Sequence, residues 1–346
     1  MRSDRIPSAT CEKRLDRVRG YLAERSMEAL IVQNSSNIFY LTGLLEIEGI
    51  LLIRESSTIL FLPALYYGEA LDNLSLKSVD LRLYTRTNLS KSLTSLSRAF
   101  FLKNETPYPP AGSWAAEYGL ELEESPDFIG ELRVVKDAGE ISLIRKARSV
   151  GKEVLSRLES GLIFSGMTES EMAGHIHCLI AECGGRKAAF DPIVASGVHS
   201  SYPHHKNRPE KIQQGRPLVV DMGVDYAGYK SDMTATFFPG GIDEEFRNLF
   251  RVVREVYEKS VEDSLKGDGL TGADIHARAV NIFKKHKLEE FFIHGLGHGV
   301  GIDVHERPAI NPSGTESLQE GNVFTIEPGI YIPGKGGIRI EDTFIL

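Results

Sequence analysis

Four acidic residues stand inside stretches that otherwise read as buried strands, and few folds can accommodate that. In Leu218-Val-Val-Asp221-Met-Gly-Val-Asp-Tyr-Ala-Gly-Tyr-Lys-Ser-Asp232, two carboxylates lie on opposite arms of an expected hairpin. With Tyr226 and Ala227 as its loop, Asp221 faces Asp232 and their Cβ atoms stand about 4.5 to 5.5 Å apart on one face. Like charges so placed destabilise a sheet unless a cation neutralises them; the alternative is that one or both aspartates point to solvent. The pattern returns at Glu327 and Glu341, which flank a loop containing Pro333-Gly-Lys-Gly-Gly337 and pair across it by the same arithmetic. Both lie in apolar runs, Val323 to Ile326 and Ile338 to Leu346, where an unpaired charge is costly to bury.

Between the two pairs runs His294-Gly-Leu-Gly-His298-Gly-Val-Gly-Ile-Asp-Val-His305-Glu306. Its glycines allow close backbone approach and rule out a zinc-protease helix of the His-Glu-x-x-His type. The run reads as an active-site loop or short strand. A lone histidine is usually structural, but three beside four candidate carboxylate ligands point to chemistry. His199 and His205 could simply be exposed, and His175, His177, His276 and His286 fall on expected helices as surface residues.

The 346 residues suit two domains, with a boundary expected near 128–137 and the domains assigned as 1–130 and 131–346. The first half shows an α/β pattern: a helix from Cys11 to about Ser26, strands at 29–32, 49–53, 58–63 and 99–102, and a helix at 66–73. The stretch 103–127, with Pro107, Pro109, Pro110 and Pro126, reads as a linker or peripheral excursion. In the second half the order helix, helix, strand pair occurs twice. Helices are expected at 137–159, 168–182, 244–265 and 273–286, and strands at 218–224, 229–237, 323–326 and 338–344. Thr168 with Glu171 predicts a capping box.

A net charge of -8 argues against a nucleic-acid partner, since phosphate binding normally needs a basic face. A mean hydropathy of -0.17 and apolar runs far short of about 20 residues argue against a membrane span. The N-terminus has no apolar segment of signal type, and three cysteines, Cys11, Cys178 and Cys183, do not suit a disulfide framework; both point to the cytoplasm.

The C-terminal half, about 138–346, resembles the pita-bread metallopeptidases, and within them aminopeptidase P and prolidase. The motifs are Val220-Asp221-Met-Gly, Ser231-Asp232-Met-Thr-Ala-Thr, His294-Gly-Leu-Gly-His298-Gly, Ile326-Glu327-Pro-Gly and Arg339-Ile-Glu341-Asp. Asn37-Ile-Phe-Tyr-Leu-Thr-Gly43 resembles the smaller N-terminal domain shared by creatinase, prolidase and aminopeptidase P. The resemblance implies an α/β (α+β) chain with a pita-bread catalytic domain and a smaller creatinase-type α/β domain. It implies Asp221, Asp232, His298, Glu327 and Glu341 as ligands of two divalent ions, and His204, His294 and His305 on the substrate side. A homodimer is a further expectation. The chain stops at Leu346, five residues beyond Glu341, where the resemblance implies a further short strand segment; either the sheet edge near Glu341 is exposed or the sequence is truncated.

Four carboxylates and one imidazole form a hard, oxygen-rich set that suits Mn²⁺ and tolerates Co²⁺, Fe²⁺ or Zn²⁺. Asp232 and Glu341 are expected to bridge the ions, with Asp221 completing one site and His298 and Glu327 the other. Glu327 is also the expected proton shuttle, and His305 or His294 the donor to the oxyanion or the substrate carboxylate. Arg339 and Tyr331 either orient ligands or serve as a salt bridge and as packing. The implied substrate is a proline-containing peptide, cut before proline, in a dipeptide (prolidase) or in a longer chain (aminopeptidase P). A rival reading is a noncatalytic binding protein of the same fold, which is expected to have lost ligands.

Overall fold

The computed structural model describes residues 5–105, 111–160, 166–266 and 269–346. The chain divides into two compact units, Met1–Leu132 and Arg133–Leu346. Among the described residues no helix is long and apolar enough to cross a membrane.

The first unit begins with α1 (Ser8–Glu24), whose buried Cys11, Leu15, Val18 and Leu22 recur at helical spacing on one face. There follow β1 (Leu30–Val32), α2 (Ser35–Thr42), β2 (Ile50–Ile53), β3 (Thr58–Leu62), α3 (Ala64–Asn73), β4 (Val79–Leu83), α4 (Arg86–Leu93), β5 (Arg98–Leu102), α5 (Ala111–Tyr118), β6 (Glu121–Ser125) and α6 (Phe128–Val134). The six strands form one mixed sheet in the order β4-β3-β2-β1-β5-β6. The motif Asn37–Gly43 is a helix, α2, capped by the Asn34 side chain and closed by Gly43 at φ 74°.

The expected linker at 103–127 is instead part of this unit. Trp114 on α5 is fully buried in its core with Leu120, and β6 pairs in parallel with β5. The sequence hides β6 because it is an edge strand, Glu-Leu-Glu-Glu-Ser, with little apolar signal. Pro107, Pro109 and Pro110 lie outside the described residues.

The second unit contains α7 (Ala138–Glu159), α8 (Glu169–Glu182), β7 (Lys187–Ala188), β8 (Ile193–Ser196), β9 (Leu218–Tyr226), β10 (Tyr229–Phe237), α9 (Glu244–Leu265) and α10 (Gly272–Lys285). It ends with β11 (Gly297–Gly299), β12 (Glu306–Ile310), β13 (Val323–Ile326), β14 (Gly329–Ile332), β15 (Gly336–Arg339) and β16 (Asp342–Ile345). Capping boxes open α7 at Asp137/Glu140, α8 at Thr168/Glu171 and α10 at Thr271/Asp274. Cys178 and Cys183 are free thiols.

Each half of this unit packs a helix pair against a small sheet. Ala147, Val154, Met172, Ile176 and Ile180 on α7 and α8 bury Val220, Met222 and Val224 of β9. Val253, Val256, Ile275 and Phe283 on α9 and α10 bury Phe324 and Ile326 of β13. Because side chains alternate along a strand, the helix-facing residues of β9 oblige Asp221 and Gly223 to face the opposite way. Asp232, Thr234 and Thr236 of β10 share that second face.

The β9–β10 register differs from the sequence reading by one step of the turn. Ala227 and Gly228, not Tyr226 and Ala227, form the loop, so Asp221 faces Thr234 and Asp232 faces Gly223. Ala227 (φ 52°) and Gly228 (φ 92°) both have positive φ, which the two-residue hairpin turn matching strand twist requires. Moving the loop by one residue shifts the pairing by two, so the carboxylates keep one face and become diagonal neighbours. At the C-terminus the expected register holds on both flanks, in Ile326↔Asp342 and Gly329↔Arg339.

Asn tolerates the left-handed region better than Ala, so Ala227→Asn is expected to stabilise the protein by about 0.5–1 kcal/mol. Gly228→Ala is expected to cost about 1–2 kcal/mol. Urea midpoints at unchanged slope would measure both, and a gain from Gly228→Ala would contradict the turn assignment.

Candidate metal centre

Two strand systems meet where the acidic residues lie. Along the site face of β10, Asp232 N–H donates to Thr343 Oγ1 (2.9 Å), and Thr234 forms an isolated antiparallel bridge to Glu341. Thr236 Oγ1 donates to the Arg339 carbonyl (2.8 Å). These links at two-residue steps stitch β10 to the chain running from β15 into β16. They place Glu341 beside Asp221 and Asp232, with oxygens of the three within 4.8 Å of one another. Glu341 is buried, which corrects the expectation of an exposed edge: β10 lies along that edge through the Thr234–Glu341 bridge, while β16 pairs with β13 on the other side.

His298 reaches the same point through β11. Its flanking glycines are obligatory, since a Cβ on Gly297 would lie 2.0 Å from the Thr325 carbonyl oxygen and one on Gly299 2.2 Å from that of Arg307. His298 Nδ1 lies 3.1 Å from the Gly299 carbonyl, which can only accept. The Nδ1–H tautomer follows, and Nε2 keeps its lone pair, 3.6 Å from Glu327 Oε1 and 3.7 Å from Asp232 Oδ2. A ligating histidine normally has this arrangement, one ring N–H fixed on a carbonyl and the other nitrogen open. Glu327 is set by its own N–H on the Leu296 carbonyl (2.8 Å).

The five expected ligands therefore converge. Among the described residues, Asp221 Oδ1, Asp232 Oδ1 and Glu341 Oε1 are buried oxygens without a hydrogen-bond partner. Leaving one such acceptor unsatisfied costs about 1–3 kcal/mol, and more when it is charged. Three orphaned carboxylate oxygens and one open imidazole nitrogen in a single cluster fit divalent cations.

The remaining oxygens are held in place. Arg339 Nη2 donates to Asp221 Oδ2 (2.6 Å), Nε to Thr234 Oγ1 (3.0 Å) and Nη1 to Tyr331 Oη (2.8 Å). Thr234 Oγ1 in turn donates to Glu341 Oε2 (2.7 Å). Arg339 is thus both a buried salt bridge and the part that orients Asp221, so the two readings offered by the sequence coincide. Thr234 and Thr236 were missed, although the alternation Asp-x-Thr-x-Thr in β10 signals a polar, site-facing edge.

His294 is committed on both sides. Nδ1 meets the Gly295 carbonyl (2.7 Å) and Nε2 meets Tyr331 Oη (2.9 Å). Since Tyr331 accepts from Arg339, its hydroxyl proton is free to go to His294 Nε2. A direct bond from His294 to a substrate would have to replace one of these. His305 is exposed and its ring packs edge-on against His298, centroids 4.3 Å apart. His204 is also exposed. His205, expected to be a possible surface residue, is buried, and His199 is half-buried; both contact Glu169, which the sequence did not single out.

Burial and mutual repulsion dominate the electrostatics. Burial, then the charges of Asp221 and Glu327, holds the Asp232 carboxyl well above its ordinary range. Burial and Asp232 do the same to Glu341. Glu327 is pushed up to about 8, by burial first and by Asp221, against the pull of Arg339. Burial lowers His298 and His294 to about 4, which keeps both imidazoles neutral.

The family model for metallopeptidase family M24 matches residues 142–346, and that for the creatinase/prolidase N-terminal domain matches 14–106. The chain belongs to metallopeptidase family M24. A protein named Xaa-Pro dipeptidase from Pyrococcus horikoshii is 32% identical over 94% of this chain and 92% of its own. A putative Xaa-Pro aminopeptidase from Mycoplasma pneumoniae is 32% identical over 94% and 91%. The crystal structure of the prolidase from Pyrococcus horikoshii OT3 superposes with a TM-score of 0.90 at 30% identity, covering 96% of this chain and 95% of that one. The M24 chain is accordingly a mixed α/β metallopeptidase with a creatinase-type N-terminal domain, and the reading as a noncatalytic binding protein finds no support.

A carboxyl whose folded pKa is raised stabilises the fold at low pH and loses that contribution as pH rises through the folded value. Glu327 rises from an ordinary 4.5 to about 8, so its contribution in the metal-free protein falls away across that window. Metal-free wild type should therefore lose thermal stability relative to Glu327→Gln between pH about 4.5 and 8. Parallel melting temperatures for the two proteins across that range would refute the like-charge account of the cluster.

Proposed function

We propose that the chain is a dinuclear metal-dependent Xaa-Pro dipeptidase, with Asp221, Asp232, His298, Glu327 and Glu341 holding two divalent ions. The observation that carries this is that Asp221, Asp232 and Glu341, each with a buried unpartnered oxygen, share one cluster, and that His298, with Nε2 open, joins Glu327 and Glu341 in an adjoining one. Asp221, Asp232 and Glu341 would supply carboxylate oxygens to these ions, and His298 and Glu327 would supply Nε2 and a further carboxylate oxygen. Mn²⁺ suits the four carboxylates and one imidazole, and Co²⁺, Fe²⁺ or Zn²⁺ would also fit. Bound ions of this kind make a water a competent nucleophile near neutral pH and polarise the scissile carbonyl.

The protein's own groups then manage protons and orientation. Glu327 turns Oε1 toward His298 Nε2 (3.6 Å) and Oε2 toward His294 Nδ1 (4.0 Å), so one oxygen belongs to the ligand cluster and the other to the substrate side. We assign Oε2 as the atom that takes the proton from the attacking water and delivers it to the departing proline nitrogen. His305 and His204 are the exposed imidazoles able to donate to the carbonyl oxygen or to the substrate carboxylate. His294 serves through Tyr331, fixing the hydroxyl that Arg339 also holds.

Proline selectivity, and dipeptides over longer peptides, follow the relatives named Xaa-Pro dipeptidase and prolidase. Product analysis on Xaa-Pro dipeptides beside Xaa-Pro-Yaa peptides decides the matter, because release of the first residue from the longer substrates would make the chain an aminopeptidase. His298→Ala and Asp232→Asn should each lower kcat by about 10³-fold or more and reduce bound metal below two ions per chain. Near wild-type turnover with one ion or none would refute the ligand assignment.

A further inference from the structure

A second histidine–carboxylate cluster lies outside the metal centre, formed by Glu169, His199 and His205. Glu169 is the first residue of α8 and is fully buried. Its Oε1 accepts from Ser196 N–H (2.9 Å) and from His199 Nδ1 (2.9 Å). Its Oε2 accepts from His205 Nε2 (2.7 Å) and from Arg208 N–H (3.1 Å). A carboxylate offers about four acceptor positions, and four donors fill them. With both its oxygens filled the carboxylate has no lone pair to offer a metal, and it acts as an anchor.

The four donors come from both ends and the middle of one loop. Ser196 ends β8, His199 lies in the turn at Gly197–Ser201, and His205 and Arg208 lie on the returning arm. The start of α8 adds backbone bonds to that arm, from Glu169 N–H to the Glu210 carbonyl and from Ser170 N–H to that of Arg208, both 3.1 Å. On its other side the loop meets the metal-centre hairpin. Gly337 N–H donates to Ser200 Oγ (2.8 Å), and Arg339 Nη1 reaches the Pro203 carbonyl (3.4 Å). His204 stands between these two supports, next to His205 in the chain.

We propose that Glu169 is the positioning residue for His204, acting through His205, His199 and the loop backbone. The proposal rests on the substrate-side reading of His204. In Glu169→Gln the amide nitrogen would confront two of the four donors, one of them a backbone N–H, which cannot reverse its role.

The test is a double-mutant cycle on the metal-loaded full chain with an Xaa-Pro dipeptide, resolving kcat and KM and measuring bound metal. Glu169→Gln and His204→Ala should each lower kcat/KM by about tenfold or more, and the double variant should fall no further than His204→Ala by more than about twofold. Bound metal should stay at the wild-type value throughout. Multiplicative losses, or a bound ion lost only with Glu169, would overturn the proposal. If His204→Ala matches wild type, the substrate-side reading itself fails; if it is impaired while Glu169→Gln is not, only the proposal fails. Should Glu169→Gln not fold, His205→Ala should lose activity and His205→Gln, which restores a donor near Nε2, should recover it. Equal losses in that pair would also overturn the proposal.

Discussion

Repulsion among buried carboxylates is the constraint on which the catalytic unit is organised. Burial first, and then the nearness of the acids to one another, holds Asp232, Glu327 and Glu341 above the ordinary carboxyl range. A fold does not assemble such a cluster for stability, because each buried charge without a partner opposes folding. It pays only when cations complete it. The orphaned oxygens of Asp221, Asp232 and Glu341 mark where that completion takes place.

The rest of the unit keeps the cluster in place while it is incomplete. The helix-facing side chains of β9 and β13 fix which face the acids occupy, and threonines along β10 tie it to the C-terminal strands. Arg339 supplies one positive charge and spends its three donor groups on Asp221, Thr234 and Tyr331, leaving Asp221 one free oxygen. Behind the metal-centre loop, Arg133 bonds both Asp303 and Glu306, and Lys136 lies 3.1 Å from Glu306. This buried ion network secures the segment that carries His305. The supports are therefore polar and directional, as a site needing fixed geometry requires.

Much of this was legible before any coordinates. Acids in apolar strand runs, glycines around His298 and the capping box at α8 are local signals whose physics needs few distant partners. Other features were not. The loop of the β9–β10 hairpin was misplaced by one residue because Ala227 at positive φ carries no sequence signature, unlike Asn-Gly or Asp-Gly. The segment with Trp114 and β6 passed for a linker because its prolines and glutamates outweigh one buried indole. Glu169 was overlooked because a glutamate after a capping threonine reads as an ordinary first-turn acid.

By itself the sequence determined the chemical inventory and its periodicity: which residues can ligate, which faces of strands they share, and the family to which the chain belongs. Only the tertiary structure decided which oxygens stay unpartnered, that His298 keeps Nε2 open while His294 is bonded at both ring nitrogens, and that His199 and His205 close on Glu169. Strand alternation and helix capping are set by neighbours within a few residues. Hydrogen-bond satisfaction across the cluster is not, because partners such as Thr234 and Glu341 are 107 positions apart.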